Sequence, residues 1–482
     1  NEQKNYDFSE YLSPFTWRYG SKDMREIFSE VKYRVLWREI WVSLAKAQSK
    51  FGLVSEAEVM DLKSKIKDED INLSRAHQIE KEIRHDLMAE VKTFAEQCPI
   101  GGGKIHLGTT SADIEDNADI LRVKNALELI LSRLINCLNV TKKNIEKYKD
   151  VKCMGWTHLQ PAEPTTVGYR LANYAQDLVM DIQYLEEFKR TFLKGKGIKG
   201  AVGTSASLKE ILYDDEKVIE LEKNVLKSIG IEAFPISTQT YPRKVDFILL
   251  SLLSSISQSL YRFALDLRHL QSPPYGELSE PIGKTQVGSS TMPAKRNPVS
   301  SERICSLGRY ISRLPGVAWE NASQTIFERT LDDSANRRVI IPESFLAIDE
   351  CLILYVKLME GIEVYPSAIK NNLDKYSPFS LTEAVLMKAV ESGGNRQEIH
   401  EKLRMHSAKM WKSVLAGGEN TLIQELKSDS ELIKFVTVDQ LEELRESNDY
   451  IGLAVQRCDN FIETIVNPII LKYENMIEDI IE

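Results

Sequence analysis

The chain has 482 residues, a formal net charge of −9 and 43% hydrophobic residues. That length exceeds what one hydrophobic core serves, so two or three domains are expected. The acidic balance disfavours wholesale attraction to nucleic acid or anionic membrane, while leaving room for a local basic site.

The first residues, Asn1 to Ser13, are polar and carry no signal-peptide core, and no apolar run reaches the roughly 18–20 residues that span a bilayer. A soluble, cytoplasmic protein is the expectation. After a Gly-rich break from Pro99 to Ser111, no Gly or Pro occurs between Asn117 and Met154. There Ile120, Val123, Leu127, Ile130, Leu134, Leu138, Ile145 and Tyr148 recur at spacings of three and four or their sums, which predicts one long amphipathic helix. The segment GWTHLQPAEPTT (Gly155 to Thr166) breaks the pattern as a loop. A second stripe follows at Leu171, Ala175, Leu178, Ile182, Leu185 and Phe192, then the break KGKGIKGAVGTSAS (Lys194 to Ser207). A third runs through Val245, Leu249, Leu252, Ile256, Leu260, Phe263, Leu267 and Leu270, and a long polar loop spans Pro273 to Pro298. Such stripes exceed what a small domain covers and predict an all-α bundle extended by other subunits. Strand signals are few. Domain limits fall near residues 112 and 363, giving 1–112, 113–363 and a C-terminal helical cap over 364–482.

The six cysteines are scattered with no CxxC pair, so buried reduced thiols are expected. The seven histidines show no HExxH or zinc-ribbon spacing, so no metal is expected. Gly195, Gly197 and Gly200 match GxGxxG but follow a helical pattern rather than a strand, which argues against a dinucleotide site. Gly283-Lys284-Thr285 resembles the end of a phosphate loop, but Leu278 occupies the position that needs glycine.

The sharpest signal is GSSTMPAKRNP, Gly288 to Pro298. Physically it is a serine pair in a flexible loop, with Gly283 and Gly288 as candidate hinges and a lysine and an amide close by, suited to closing over a substrate and excluding water. A solvated surface loop is the plain alternative. At every fixed position the segment resembles the GSSxMPxKxNP signature of the fumarase/aspartase superfamily. RHDLMAEV (Arg84 to Val91), IHLGTTS (Ile105 to Ser111), THLQPAEPTTVG (Thr157 to Gly168) and FERTLDDSANRR (Phe327 to Arg338) resemble the adenylosuccinate lyase family of that superfamily. Arg18-Tyr19 is similar to its N-terminal substrate loop. Glu90 departs from the animal-type pattern, where histidine is frequent.

The resemblance implies an all-α, three-domain lyase fold with a long central helical bundle shared across a homotetramer. It implies β-elimination of fumarate from adenylosuccinate, giving AMP, and from succinyl-aminoimidazole-carboxamide ribotide, giving its carboxamide product, with no cofactor. Ser289 is then the general base, needing activation because a free hydroxyl is far too weak a base. Lys295 and Asn297 hold the carboxylate on which charge builds. His158 is the general acid, with a capping or core histidine as the plain alternative; His85 is its rival or a phosphate-side helper, and His106 ranks third. Arg18, Tyr19, Arg84, Asp86, Thr110, Ser111, Gln239, Arg303, Arg329, Ser334 and Arg338 match substrate-binding positions. The arginine forks suit phosphate and carboxylate. Argininosuccinate lyase is the alternative enzyme, disfavoured by the FERTLDDSANRR and RHD segments. A structural protein that kept the fold and lost the chemistry is disfavoured by the retained Ser289, Lys295, Asn297 and His158.

Overall fold

A computed structural model describes residues 6–283, 291–292, 294–446 and 450–477. The all-helical expectation holds: all three stripes are helices, Ser111–Tyr148, Val167–Thr191 and Lys244–Gln271. By length and composition the last is apolar enough to cross a membrane, with a mean hydropathy of 1.3, contrary to the sequence expectation. Its stripe, Leu249 through Leu267, is buried inside the chain, as in a core helix. The same holds for Ile120 through Ile145 and for Leu171 through Leu185, so the reading that one chain cannot cover these stripes is not met.

The chain divides into two compact units. One comprises residues 1–134, 180–260 and 306–353; the other 135–179, 261–305 and 354–482. In the first, Trp37, Ile40 and Trp41 pack with Leu87, Phe94 and Ile114. In the second, Leu381, Val385 and Leu403 pack with Leu422, Leu432 and Leu441. All six cysteines are buried and none forms a disulfide.

The segment from Gly155 is not a loop. Lys152–Thr157 and Gln160–Thr166 form an antiparallel hairpin with a register shift between Met154 and Trp156. A two-stranded ribbon leaves each strand one free edge, so Pro161 and Pro164 need not interrupt the ladder. At the shift, a Cβ on Gly155 would sit 2.5 Å from the Glu163 carbonyl oxygen, so only glycine fits.

The GxGxxG segment does structural work. The buried Asp113 carboxylate accepts from Lys199 N (3.0 Å), Gly200 N (3.0 Å), Thr110 N (2.9 Å) and the Lys196 ammonium. Asn117 clasps Gly197 from the next turn, accepting from its N–H at 3.2 Å and donating to its carbonyl at 3.0 Å. A Cβ on Gly195 would lie 2.2 Å from the Asn117 amide oxygen. These glycines therefore admit a side chain of the Ser111–Tyr148 helix rather than a pyrophosphate, and the joint fixes that helix's first turn.

Another joint lies at His106, held at φ 68°. Its Nδ1 accepts from the Trp41 indole N–H at 3.2 Å and meets the Thr109 hydroxyl at 3.0 Å. Burial depresses its pKa to about 4, with the Asp113 charge opposing.

Two measurements follow. Asp113→Ala leaves the Lys196 ammonium buried without its partner and is expected to cost about 3–5 kcal/mol in urea unfolding; a loss under about 1 kcal/mol would show that the joint is dispensable. For His106, the folded pKa lies below the unfolded one. The unfolded chain therefore takes up the proton first as pH falls, and stability drops between about pH 6.5 and pH 4. Between pH 7 and pH 5 this residue is expected to remove about 2 kcal/mol. His106→Gln should flatten that part of the curve of urea midpoint against pH.

Candidate active site

A cavity of about 370 Å³ opens in the first unit, and its walls gather predicted residues from distant parts of the chain. Arg84, His85, Asp86, Ser111, Gln239, Arg329, Ser334 and Arg338 all line it. They arrive on the ends of elements. Arg84 closes the helix Leu73–Ile83 in a left-handed conformation, φ 55°, with its N–H bonded to the Glu80 carbonyl at 2.7 Å. That position usually falls to glycine. The chain reverses at once into the helix Asp86–Gln97, whose N-cap is His85; its Nδ1 accepts from Met88 N at 3.4 Å. With Nδ1 accepting, the neutral ring carries its proton on Nε2. Asp86 occupies the first turn, where the helix dipole favours an anion. It accepts from Leu87 N at 2.8 Å and from Arg338 Nη2 at 2.6 Å. Burial alone would raise the Asp86 carboxyl, but the Arg338 hydrogen bond and charge outweigh it and hold the pKa below the usual value.

Ser111 begins its long helix and Ser334 begins the helix Ser334–Gly361. Thr110 lies just before Ser111, its N–H fixed by Asp113. Gln239 N donates to the Glu328 carbonyl at 3.2 Å, tying its loop to the segment that carries Arg329.

Behind the cavity lies a buried ionic lattice that the sequence reading missed. Arg243 grips both oxygens of Asp116 at 3.1 Å and donates to Asp333 at 2.6 Å; the other Asp333 oxygen accepts from Arg329 at 2.7 Å. Arg337 donates to Asp246 at 2.7 Å, to the Tyr241 hydroxyl at 2.7 Å and to Asp119 at 3.2 Å. Burial works against the charge on Arg337, yet Asp246, Tyr241 and Asp119 raise its pKa well above the ordinary arginine value. A signal was present: Asp116 and Asp119 sit one turn apart among the pocket-facing positions, and Arg337 adjoins Arg338. Arg84 alone among the pocket arginines has no carboxylate partner among the described residues.

Other predicted residues lie elsewhere. Arg18 and Tyr19 belong to the first unit but do not line this cavity; Arg18 closes the helix Pro14–Trp17, with its guanidinium 5.6 Å from the Trp17 ring and 5.8 Å from the Tyr19 ring. His106 is the half-buried indole-bonded histidine described above and does not line the cavity. Glu90 is fully buried and bonded to Arg38 at 2.8 Å, away from the cavity lining.

His158, Lys295, Asn297 and Arg303 belong to the second unit. His158 and Leu159 form the exposed two-residue turn of the hairpin, with φ of 55° and 58°. That turn geometry favours Asn-Gly, so these side chains sit there against conformational preference. Ser289 lies outside the described residues. Lys295 N donates to the Met292 carbonyl at 3.0 Å, and the Asn297 carbonyl accepts from Val299 N at 2.9 Å. Arg303 lies on the following helix, Val299–Ile311. Glu280, another residue the sequence reading passed over, anchors that helix. Its buried carboxylate accepts from Ser300 N at 3.2 Å, Ser301 N at 3.1 Å and the Ser301 hydroxyl at 3.0 Å. A larger cavity of about 950 Å³ in this unit, walled by Trp156, Tyr169 and Phe379, includes none of the predicted site residues. Two of its arginines are already paired, Arg170 with Glu277 and Arg262 with Asp177.

Among solved structures, a fumarate lyase from Mesorhizobium sp. BNC1 superposes with a TM-score of 0.81 at 23% identity, covering 94% of this chain and 100% of that one. A 3-carboxy-cis,cis-muconate lactonizing enzyme from Pseudomonas putida gives 0.80 at 22%, covering 96% and 99%. These likenesses establish the fold. The sequence pattern of the lyase family matches residues 25–311, and that of the adenylosuccinate lyase C-terminus matches residues 378–461. The adenylosuccinate lyase of Schistosoma mansoni is 39% identical over 97% of this chain and 98% of its own. That of Saccharomyces cerevisiae is 37% identical over 98% of each, and that of Pyrococcus abyssi 35% over 94% and 98%. With both family patterns matched and relatives this similar end to end, the chain belongs to the adenylosuccinate lyase family.

Proposed function

We propose that this chain cleaves adenylosuccinate to AMP and fumarate, and the succinylated carboxamide ribotide of purine synthesis to its carboxamide product and fumarate. The observation that carries this reading is the gathering of eight family-matching residues, including three arginines, around one cavity. An acidic chain needs such local cations to hold a phosphate and two carboxylates.

In the reaction, a base takes a proton from the carbon beside one carboxylate of the succinyl group. The electron pair spreads into that carboxylate, then forms the carbon–carbon double bond as the C–N bond breaks. The nitrogen keeps the bonding pair and receives a proton from an acid. Ser289 is assigned as the base, with Lys295 and Asn297 stabilising the carboxylate as charge accumulates. His158 is assigned as the acid, and His85 serves the phosphate side. Arg84, Arg329, Ser334 and Arg338 hold the phosphate, with Arg18, Tyr19, Asp86, Thr110, Ser111, Gln239 and Arg303 completing the substrate contacts. The exposed hairpin tip suits an acid delivered to another chain's site.

The same reading makes the protein a homotetramer with domains 1–112, 113–363 and 364–482. Support comes from the helix Val167–Thr191, where Tyr169, Met180 and Tyr184 fall on one face and remain exposed. The 364–482 segment also has a core cluster of its own. In this arrangement His158 and Ser289 of one site come from different chains.

Purified protein is expected to consume adenylosuccinate with stoichiometric fumarate, and no fumarate would sink the assignment. Ser289→Ala should bind substrate yet turn it over about a thousand-fold more slowly. His158→Gln should lose most activity and the acid limb of the pH–rate profile. Co-expressed, these two variants should recover about a quarter of wild-type activity, since each site draws its two residues independently. Mixed tetramers, verified by native mass spectrometry, that stay inactive would place both residues on one chain. Arg329→Ala should weaken AMP binding by about 1.5–3 kcal/mol in calorimetry on a Ser289→Ala background; unchanged affinity would remove Arg329 from the phosphate contacts.

A further inference from the structure

Glu115 lines the cavity one helical turn beyond Ser111, and no family-matching role accounts for it. Three neighbouring carboxyls on the walls are each paired with arginine: Asp86 with Arg338, Asp116 with Arg243, and Asp119 with Arg122 and Arg337. The half-buried Glu115 side chain makes no hydrogen bond or ion pair among the described residues; only its backbone carbonyl is met, by the Tyr33 hydroxyl at 3.5 Å. An enclosed carboxyl facing a cavity without a protein partner is a group awaiting one from a ligand.

We propose that Glu115 is a further specificity-determining residue of this cavity, contacting the hydroxyl-bearing sugar of a nucleoside 5′-monophosphate whose phosphate lies on the arginines. The contact rests on the nucleotide reading above. Its location follows from Arg338, which lines the same cavity and is assigned to the phosphate. The group adjoining a 5′-phosphate is the ribose.

The charged groups facing Glu115 are Asp86 from the helix Asp86–Gln97, Arg338 from the helix Ser334–Gly361, and Asp116 and Asp119 from its own helix, with the Tyr33 phenol alongside. Burial, then Asp86 and Asp116, raises its pKa to about 8 against the attraction of Arg338. At neutral pH the group is mostly a carboxylic acid, which both donates to and accepts from a ribose hydroxyl. Above pH 8 the carboxylate has lost the proton that it donates to the sugar hydroxyl, and binding weakens. The sign is fixed: affinity falls as pH rises through the folded pKa.

The test is calorimetry with AMP between pH 7.5 and 9.5, where the phosphate stays dianionic. The unaltered protein is expected to lose about ten- to twenty-fold in affinity across that range. Glu115→Gln, neutral at every pH, should bind AMP at pH 7.5 within a few-fold of the unaltered protein and lose the slope. 2′,3′-Dideoxy-AMP should bind the unaltered protein more weakly, without the slope. Inorganic phosphate should bind both proteins equally, showing that the arginines remain in place. A slope retained by Glu115→Gln, or kept in full by the dideoxy analogue, overturns the contact. Loss of phosphate binding in Glu115→Gln overturns it too, by making the residue structural. Absence of AMP binding to the unaltered protein is the separate result that removes the nucleotide reading itself.

Discussion

The cavity of the first unit depends on two buried arginines, Arg243 and Arg337. Between them they bind Asp116, Asp119, Asp246, Asp333 and Tyr241. These partners sit on the helices Ser111–Tyr148 and Lys244–Gln271 and on the segments leading into Lys244–Gln271 and Ser334–Gly361. Desolvating so many charges brings little net stability, and an apolar core of equal volume would serve as well. What the lattice supplies is direction. A guanidinium fork accepts carboxylates only at set angles, so the elements it joins are fixed in rotation as well as distance. Arg329 is positioned by sharing Asp333 with Arg243, and Ser334 and Arg338 sit on the helix that Arg337 pins.

The lattice also explains how so many charged side chains can line one cavity. Within it, acids and arginines neutralise one another out of water. Arg84 stands outside this pairing, exposed, in a left-handed conformation that turns the chain between two helices. Strain of that kind persists only where the surroundings impose it. It recurs at His158 and Leu159, so two of the assigned functional side chains are set by backbone conformations their residue types disfavour.

The long helices were legible because a stripe repeating every three to four residues leaves a period that composition cannot hide; Ile120 to Ile145 lie buried as that period required. The hairpin was not legible. Its two prolines and the glycine at the register shift read as loop signals, and a two-stranded ribbon tolerates all three. The glycines at 195, 197 and 200 follow a helical pattern, yet nothing local announced that Asp113 and Asn117, about eighty positions earlier, would close on them. Sequence spacing carries contacts within one element; contacts of this range exist only once the chain has folded.

The same limit governed the site. Motif matching found Arg84, Asp86, Arg329 and Arg338 because each lies in a segment recognisable on its own. It passed over Arg243, Asp116 and Glu280, whose importance lies in what they hold. Glu280 is the clearer case. An acid some twenty residues before a helix looks like surface charge, but its carboxylate takes two backbone N–H groups and a hydroxyl at the start of Val299–Ile311. A helix N-terminus has unsatisfied N–H donors, and this buried acid takes up two of them. It fixes where the signature loop ends. The lattice sets the walls of the cavity assigned to the phosphate, and Glu280 sets the base from which Lys295 and Asn297 extend; the assigned chemistry needs both anchors to be rigid.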